Sequence, residues 1–479
     1  MCHPLRPIDF QLCRSKEYRL NLHIARLARL GIAALGIAFG EYGFAWAAPV
    51  APLSPARRPN ILFVLTDDQR WDTIHALGDA EVETPNLDRL VERGFHFSNA
   101  YCMGSMTPAV CLPSRTMLLT GRSVWRLPSV ADAKAPADLP LLPRVLHNAG
   151  YATYHCGKEN NACRYGNAAF DVNVETAKQG PDDMRLHADQ VIDWLEHRDR
   201  AKPFFIYLAP PVPHDPRVAP PEFVQRYDPA KLSLPRSFMP RHPFDNGELR
   251  IRDEMLASHP RTPTEMKQHL ADYYACISDI DYQFGRINAA LDRLKLAETT
   301  IVIYSSDQGL AVGGRHGLMG KQNLYEHVKP PLIVAGPGIP HGESDALVYL
   351  YDLFPTICDY TGAATPPVIE GKSLAPVMRG NPGELRPYLF TAYRECQRMV
   401  RDQRWKLIEY LVKGDHHTQL FDLQSDPDEL HDRANDAECA QRLAQLREQL
   451  LHLASEFGDP VAENFREAIA NSQPPMSAK

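Results

Sequence analysis

The 479-residue chain contains ten cysteines but no Cys-x-x-Cys pair, which removes the knuckles that hold a structural zinc ion. It has no basic excess: 59 Asp and Glu face 52 Lys and Arg, for a formal charge of -7. A broad cationic face for nucleic acid is therefore excluded, although a local basic pocket for an anion is not. Internal repeats are missing, which excludes solenoids and propellers. What is present is 44% hydrophobic and 23% charged. That is ordinary globular composition, long enough for one large α/β domain and a smaller one.

The N-terminus also lacks something: its apolar stretch, Leu30 to Gly40, is far shorter than the roughly 20 residues a spanning helix needs. It follows Arg14, Lys16, Arg19, Arg26 and Arg29 and precedes Ala45-Trp-Ala47, the layout of a secretory signal peptide. The reading gives a signal peptide over 1–47 and a linker over 48–58, and predicts an exported protein, periplasmic or secreted, without a stable membrane anchor. In an oxidising compartment the cysteines beyond Cys2 and Cys13 are free to pair. Cys156 and Cys163, seven apart in a loop-like stretch, are the expected close pair. Cys102, Cys276, Cys358, Cys396 and Cys439 read as buried thiols or structural bridges.

Three apolar runs of strand length end abruptly in polar chemistry. Asn60 to Thr66 stops at Asp67-Asp68, Thr299 to Ser305 stops before Asp307-Gln308, and Pro203 to Leu208 stops in the proline-rich loop that holds His214. Unbroken apolar runs suit strands buried on both faces. Helix-like stretches lie between them, at Thr84 to Arg93 with Gly94 as a stop, and at Asp272 to Leu294 with Ile277, Ile280, Phe284, Ile287 and Leu291 on one face. The fold class is thus α/β, a large central sheet flanked by helices, with ligands expected outside the carboxyl ends of the strands. Short alternating strands from about Arg386 and a helix over Glu438 to Phe457 predict a small antiparallel sheet with a covering helix. The division is 59–384 for the catalytic domain, 385–465 for the C-terminal subdomain and 466–479 for a disordered tail.

The chemistry gathers around Cys111, in Cys111-Leu-Pro-Ser-Arg115. Alone, this cysteine reads equally as a disulfide partner of Cys102. Pro113 and Ser114 fit the start of a short helix that Gly121 would end. That places residue 111 at a helix N-terminus, which favours an anion, with Arg115 on the same face. Asp67, Asp68 and Asp307 would repel one another unless a cation sat among them. With Gln308 adding an amide oxygen, the oxygen donor set suits Ca²⁺ or Mg²⁺ better than zinc. The prolines around His214 fix backbone angles and hold its imidazole rigidly.

With these motifs the chain resembles the type I sulfatases, of the alkaline-phosphatase-like superfamily. The matching stretches are Asn60 to Asp72, Cys111 to Arg122, Gly157-Lys158, Pro213 to Arg217, Ser306 to Gly309 and Gly320 to Asn323, spread over Arg58 to Ala434. The resemblance implies a mixed central sheet and oxidation of Cys111 to formylglycine by a formylglycine-generating or sulfatase-maturing enzyme. The hydrated aldehyde would attack sulfur, and its second hydroxyl would then expel sulfate. Asp67, Asp68, residue 111, Asp307 and Gln308 would hold the metal, with Ca²⁺ favoured. Lys158 and Lys321 would neutralise sulfate oxygens, Arg115 would hold the hydrate and the metal-side carboxylates, and His214 would protonate the leaving alcohol. Arg217 reads equally as a contact to an anionic or hydroxylated substrate and as a surface salt bridge. His316 and His327 read as pocket lining and helix packing.

One departure stands out. Where the family commonly reads Gly-Lys-x-His, this chain has Gly157-Lys158-Glu159-Asn160. Asn160 can hydrogen-bond substrate but cannot take a proton, leaving His155 or water to act as base. The implied activity is hydrolysis of a sulfate monoester on a small molecule or saccharide. The alternatives are a phosphonate monoester or phosphodiester hydrolase and a catalytically silent binding homologue.

Overall fold

The computed structural model describes residues 58–128, 135–160, 162–176, 180–381 and 385–472. The expected signal peptide, the linker up to residue 57, Cys2 and Cys13 lie outside them. No helix among the described residues is long and apolar enough to cross a membrane.

An eight-stranded sheet runs in the order Gly342–Ser344, Phe95–Phe97, Leu332–Ala335, Thr300–Ser306, Asn60–Thr66, Phe204–Ala209, Ala152–Lys158, Val172–Thr176. The last five strands are parallel, and Leu332–Ala335 is antiparallel to both its neighbours. Successive side chains of a strand point to opposite faces, and both faces here are covered. Ile61, Phe63 and Leu65 enter one core with Met117, Leu118 and Leu119 of the helix Cys111–Thr120. Leu62 and Val64 enter another with Leu87, Leu90, Val191, Ile280 and Phe284. This two-sided burial is why the strand reads as an unbroken apolar run.

The helix read from Asp272 begins earlier, spanning Pro263–Arg293. Thr262 accepts a hydrogen bond from the Glu265 amide, and Pro263 occupies the first helical position, both start signals. Met266 and Leu270 in the added turns pack against Phe223 and Tyr227.

The strands Leu389–Tyr393, Gln397–Arg401, Trp405–Val412 and Asp415–Asp422 form the antiparallel C-terminal sheet. Leu446, Leu450 and Ala454 of the helix Ala440–Phe457 cover it. The two-residue strand Gly104–Ser105 joins this sheet in parallel with Leu389–Tyr393, so chain just before Cys111 is woven into the C-terminal layer. The tail read as disordered from 466 is corrected: the helix Ala462–Ser472 runs through it, with Phe465 and Ile469 buried one turn apart. Arg398 stacks over Phe465 while pairing with Asp459 at 2.5 and 2.8 Å. Residues 473–479 lie outside the described ones.

The Cys156–Cys163 pairing is also corrected. Cys156 sits in the buried strand Ala152–Lys158, its thiol donating to Gln190 at 3.2 Å, and both cysteines are free thiols. The other six cysteines among the described residues, Cys102 and Cys111 included, are free as well.

Candidate active site

Four parallel strands deliver the site from their carboxyl ends. Asp67 and Asp68 follow Thr66, Asp307 follows Ser306, Lys158 closes Ala152–Lys158, and the loop after Ala209 carries His214. Backbone bonds tie the ends together: Asp67 N–H to Val212 O at 3.0 Å and Asp307 N–H to Thr66 O at 3.1 Å. Cys111 is the first residue of its helix. Gly121 ends that helix at φ 66° with its N–H on Met117 O, where a Cβ would meet Ile369 at 2.8 Å, so glycine is required there.

At the centre the Cys111 thiol lies 3.2 Å from Asp67 Oδ1 and 3.7 Å from Asp68 Oδ1. Lys321 Nζ is 3.1 Å from the same sulfur and 2.8 and 2.7 Å from the two Asp68 oxygens. Arg115 clamps Asp67 at 3.0 Å and Asp307 at 2.9 Å, and Lys158 pairs with Asp67. His214 Nδ1 bonds the Asp215 carbonyl at 2.8 Å, which leaves Nε2 facing Asp68 Oδ2 at 3.8 Å.

Three buried cations thus face three buried carboxylates, and the balance is uneven. Burial pushes the Asp67 carboxyl up, but Lys158 and Arg115 outweigh it and hold the group well below the carboxylate range. For Asp68, burial wins over Lys321 and His214, and the pKa rises to about 6. Burial works against the Lys321 ammonium, yet Asp68 and Cys111 hold its pKa well above the ordinary value. Burial, Asp307 and Asp67 together push the Cys111 thiol far up. One ligand atom each from Asp67, Asp68, Cys111 and His214 falls within a 4.8 Å cluster, a compact set that could hold a divalent cation. Such an ion would leave the pocket two charges positive, suited to an anionic ester.

The expected residues are placed unevenly. Cys111, Arg115, Lys158, His214, Lys321, Asp67 and Asp68 converge. Asp307 stands behind Arg115, with Oδ1 accepting from the Asp68 N–H at 3.1 Å. Gln308 donates its side-chain amide to Lys321 O at 2.6 Å. Arg217 lies over the Tyr273 ring at 5.8 Å, with its buried Nε lacking a hydrogen-bond partner among the described residues. Asn160 is exposed two residues beyond Lys158. His155 stacks on Tyr207 and meets Phe170 at a tilt, with Nδ1 held by Asn173 at 2.6 Å; these contacts make it a core residue, not a stand-in base. His316 is corrected from pocket lining to packing: it is buried flat on Tyr325 at 3.9 Å, with His327 at the end of the same stack.

Sequence reasoning missed Tyr273, whose hydroxyl donates to Asp68 O at 2.6 Å and accepts from the Arg70 N–H at 2.9 Å. It steadies Asp68 at φ 69°, a region that Asp tolerates better than most residues. Its place four residues before Ile277 showed that it is buried, and nothing showed its partner. Ser114 was read only as a helix starter, but its Oγ also donates to Asp307 O at 2.7 Å.

A family model described as Sulfatase matches residues 59–363, and one described as N-sulphoglucosamine sulphohydrolase, C-terminal, matches 314–456. The chain is 25% identical to an N-acetylglucosamine-6-O-sulfatase of Bacteroides thetaiotaomicron, over 84% of this chain and 87% of that protein. It is 27% identical to arylsulfatase K of Homo sapiens, over 78% of each. A solved protein in complex with its substrate D-glucosamine-2-N,6-O-disulfate superposes with a TM-score of 0.71 at 23% identity, covering 84% of this chain and 99% of that one. The phosphonate monoester hydrolase of Agrobacterium radiobacter gives the same TM-score at 21% identity, covering 84% and 96%. These two likenesses establish a shared fold.

Proposed function

Since the chain belongs to the sulfatase family of sulfuric ester hydrolases, we propose that it cleaves a sulfate monoester on a saccharide, with residue 111 acting as formylglycine beside a bound Ca²⁺. The observation that carries this is the Cys111 cluster, in which a buried residue at a helix N-terminus meets two lysines, an arginine and three aspartates. As a thiol Cys111 is a poor nucleophile, because burial and carboxylates keep it protonated and only the thiolate attacks. Formylglycine supplies a geminal diol, one hydroxyl to attack sulfur and the other to expel sulfate. Asp67, Asp68 and residue 111, whose donor atoms lie in one compact cluster, would hold the metal, with Asp307 and Gln308 as the further proposed donors, and the ion would supply Lewis acidity toward oxygen.

The chain's own side chains do the rest. Lys158 and Lys321, both almost fully buried, face the sulfuryl oxygens and stabilise their developing charge. Arg115 keeps Asp67 and Asp307 in register. His214 holds its Nδ1–H on the Asp215 carbonyl; as the imidazolium it bears a second proton on Nε2, which passes to the leaving alcohol oxygen as the S–O bond breaks and leaves the neutral Nδ1–H tautomer. The guanidinium of Arg217, over the Tyr273 ring, and the exposed amide of Asn160 are the groups proposed to hydrogen-bond substrate beyond the sulfate. Export to the periplasm or outside the cell, and maturation by a formylglycine-generating enzyme, complete the reading.

The saccharide follows the names of the relatives, one an N-acetylglucosamine-6-O-sulfatase and one solved with a glucosamine disulfate. The matured enzyme is assayed side by side on N-acetylglucosamine 6-sulfate, a phosphodiester and a phosphonate monoester. The sulfate ester is expected to show the highest kcat/KM; a preference for either phosphorus ester would overturn the assignment.

A further inference from the structure

Arg252, Asp253 and Glu254 follow one another in the loop that leads to the helix Pro263–Arg293, and each grips a different part of the site. Arg252 pairs with Asp215, the residue after His214, and with Asp253 at 2.6 Å. Asp253 accepts from Gln322 Nε2 at 2.8 Å, and Gln322 Oε1 accepts from the Lys321 N–H at 3.0 Å. Glu254 accepts from the N–H groups of Met319 at 2.9 Å and Gly320 at 2.8 Å, with Arg261 behind it at 2.5 Å. Gly320 leaves the room this needs: a Cβ there would come within 2.4 Å of Gln322 Oε1 and 3.0 Å of Glu254 Oε1. One short segment therefore reaches the histidine on one side and the lysine on the other.

The Arg252 side chain is 58% exposed, but the Asp215 and Asp253 side chains it joins are only 11% and 8% exposed. Exposed ion pairs contribute little. Here, removing the arginine would take the cation from two enclosed carboxylates, leaving Asp215 only His214 Nδ1 at 3.4 Å and Asp253 only Gln322 at 2.8 Å, and that penalty exceeds the loss of an exposed pair. Each would move toward solvent or another partner, carrying its loop with it.

We propose that Arg252 and Asp253 are positioning residues that couple the two sides of the reaction. Arg252, through Asp215, fixes His214 at the leaving group, and Asp253, through Gln322, fixes Lys321 at the sulfuryl group. The proposal rests on His214 being the acid that protonates the leaving oxygen. A displacement of about 1 Å in such a group can cost about 100-fold in rate.

The test uses the formylglycine-containing enzyme and aryl sulfates ranging from 4-nitrophenyl sulfate, whose phenolate leaves without a proton, to phenyl sulfate, whose phenolate is more basic. Thermal melting confirms that each variant is folded. His214→Ala should steepen the dependence of kcat on leaving-group acidity. Arg252→Met should steepen it in the same direction, losing about 10-fold on phenyl sulfate and about 3-fold on 4-nitrophenyl sulfate. The double variant should be little slower than His214→Ala alone. Asp253→Asn should slow all the esters by one common factor. If His214→Ala leaves the slope unchanged, the acid assignment itself fails. If His214→Ala steepens it and Arg252→Met slows every ester equally or none, the coupling through Arg252 is overturned.

Discussion

At Cys111 the surroundings of the side chain disfavour its thiolate, which is why the proposed function gives residue 111 a modified form. Burial, Asp307 and Asp67 raise the pKa of the enclosed thiol against the opposing pull of Lys158 and Lys321, which makes an unmodified thiol there a poor source of thiolate. This fixes what a serine at the same place can do. Cys111→Ser presents one hydroxyl and no second one to expel sulfate, so at most one equivalent of alcohol per enzyme is expected, without further turnover. Burst kinetics on 4-nitrophenyl sulfate measure this, and sustained turnover would contradict it. Cys111, Arg115, Asp67, Asp68 and Asp307 were legible because charged or reactive residues directly after apolar strands, or opening a helix, break the local pattern. Tyr273, Asp253 and Gln322 were not, because each is ordinary where it stands. Tyr273 meets Asp68 and Asp253 meets Gln322 from far away in the chain, and Gln322 reaches its neighbour Lys321 only through the Lys321 N–H.

Elements were legible to the extent that local signals define them. The strand Asn60–Thr66 and the helix Pro85–Arg93 stand where the apolar run and the proline and glycine placed them. The long helix was read nine residues short because the apolar stripe was traced from Ile277, while its start is written in Thr262 and Pro263. That helix also buries Asp279, whose pKa burial raises to about 6, with Glu222 and Asp182 adding to the effect and Gln283 opposing it. Between pH 4 and 6 the folded protein therefore holds a proton that the unfolded chain releases, so stability falls as pH rises through this window. The shift corresponds to about 3 kcal/mol. Asp279→Asn should be less stable than, or equal to, the parent at pH 4 and gain on it by about that amount at pH 7. Urea unfolding at the two values measures the difference, and a difference that does not change with pH would remove Asp279 as its source.

On the scale of the whole molecule, the catalytic helix and the C-terminal layer are one piece of engineering through the strand Gly104–Ser105. Gly104 sits at φ 103°, and a Cβ there would come within 1.8 Å of the Ala392 carbonyl oxygen. Gly104→Ala should cost about 3 kcal/mol through strain and a broken seam and reduce turnover along with it, read as a lower Tm and a lower kcat. A variant as stable and active as the parent would show that the seam is dispensable. The interlock was illegible in sequence because two residues are too few to carry a strand pattern, and the helix Ala462–Ser472 was missed because its burial depends on Arg398 and Asp459. The central sheet and its strand-end site could be read, because burial on both faces writes itself into unbroken apolar runs, while the mixed strand directions came only with the family resemblance. The proposed function makes all of this machinery serve one modified side chain, so the most direct test is mass spectrometry of the peptide spanning residue 111, from protein produced with a formylglycine-generating enzyme. The aldehyde mass, shifted further by a carbonyl-reactive hydrazine, is the predicted result; an unmodified thiol in an enzyme that still turns over sulfate esters would contradict the account.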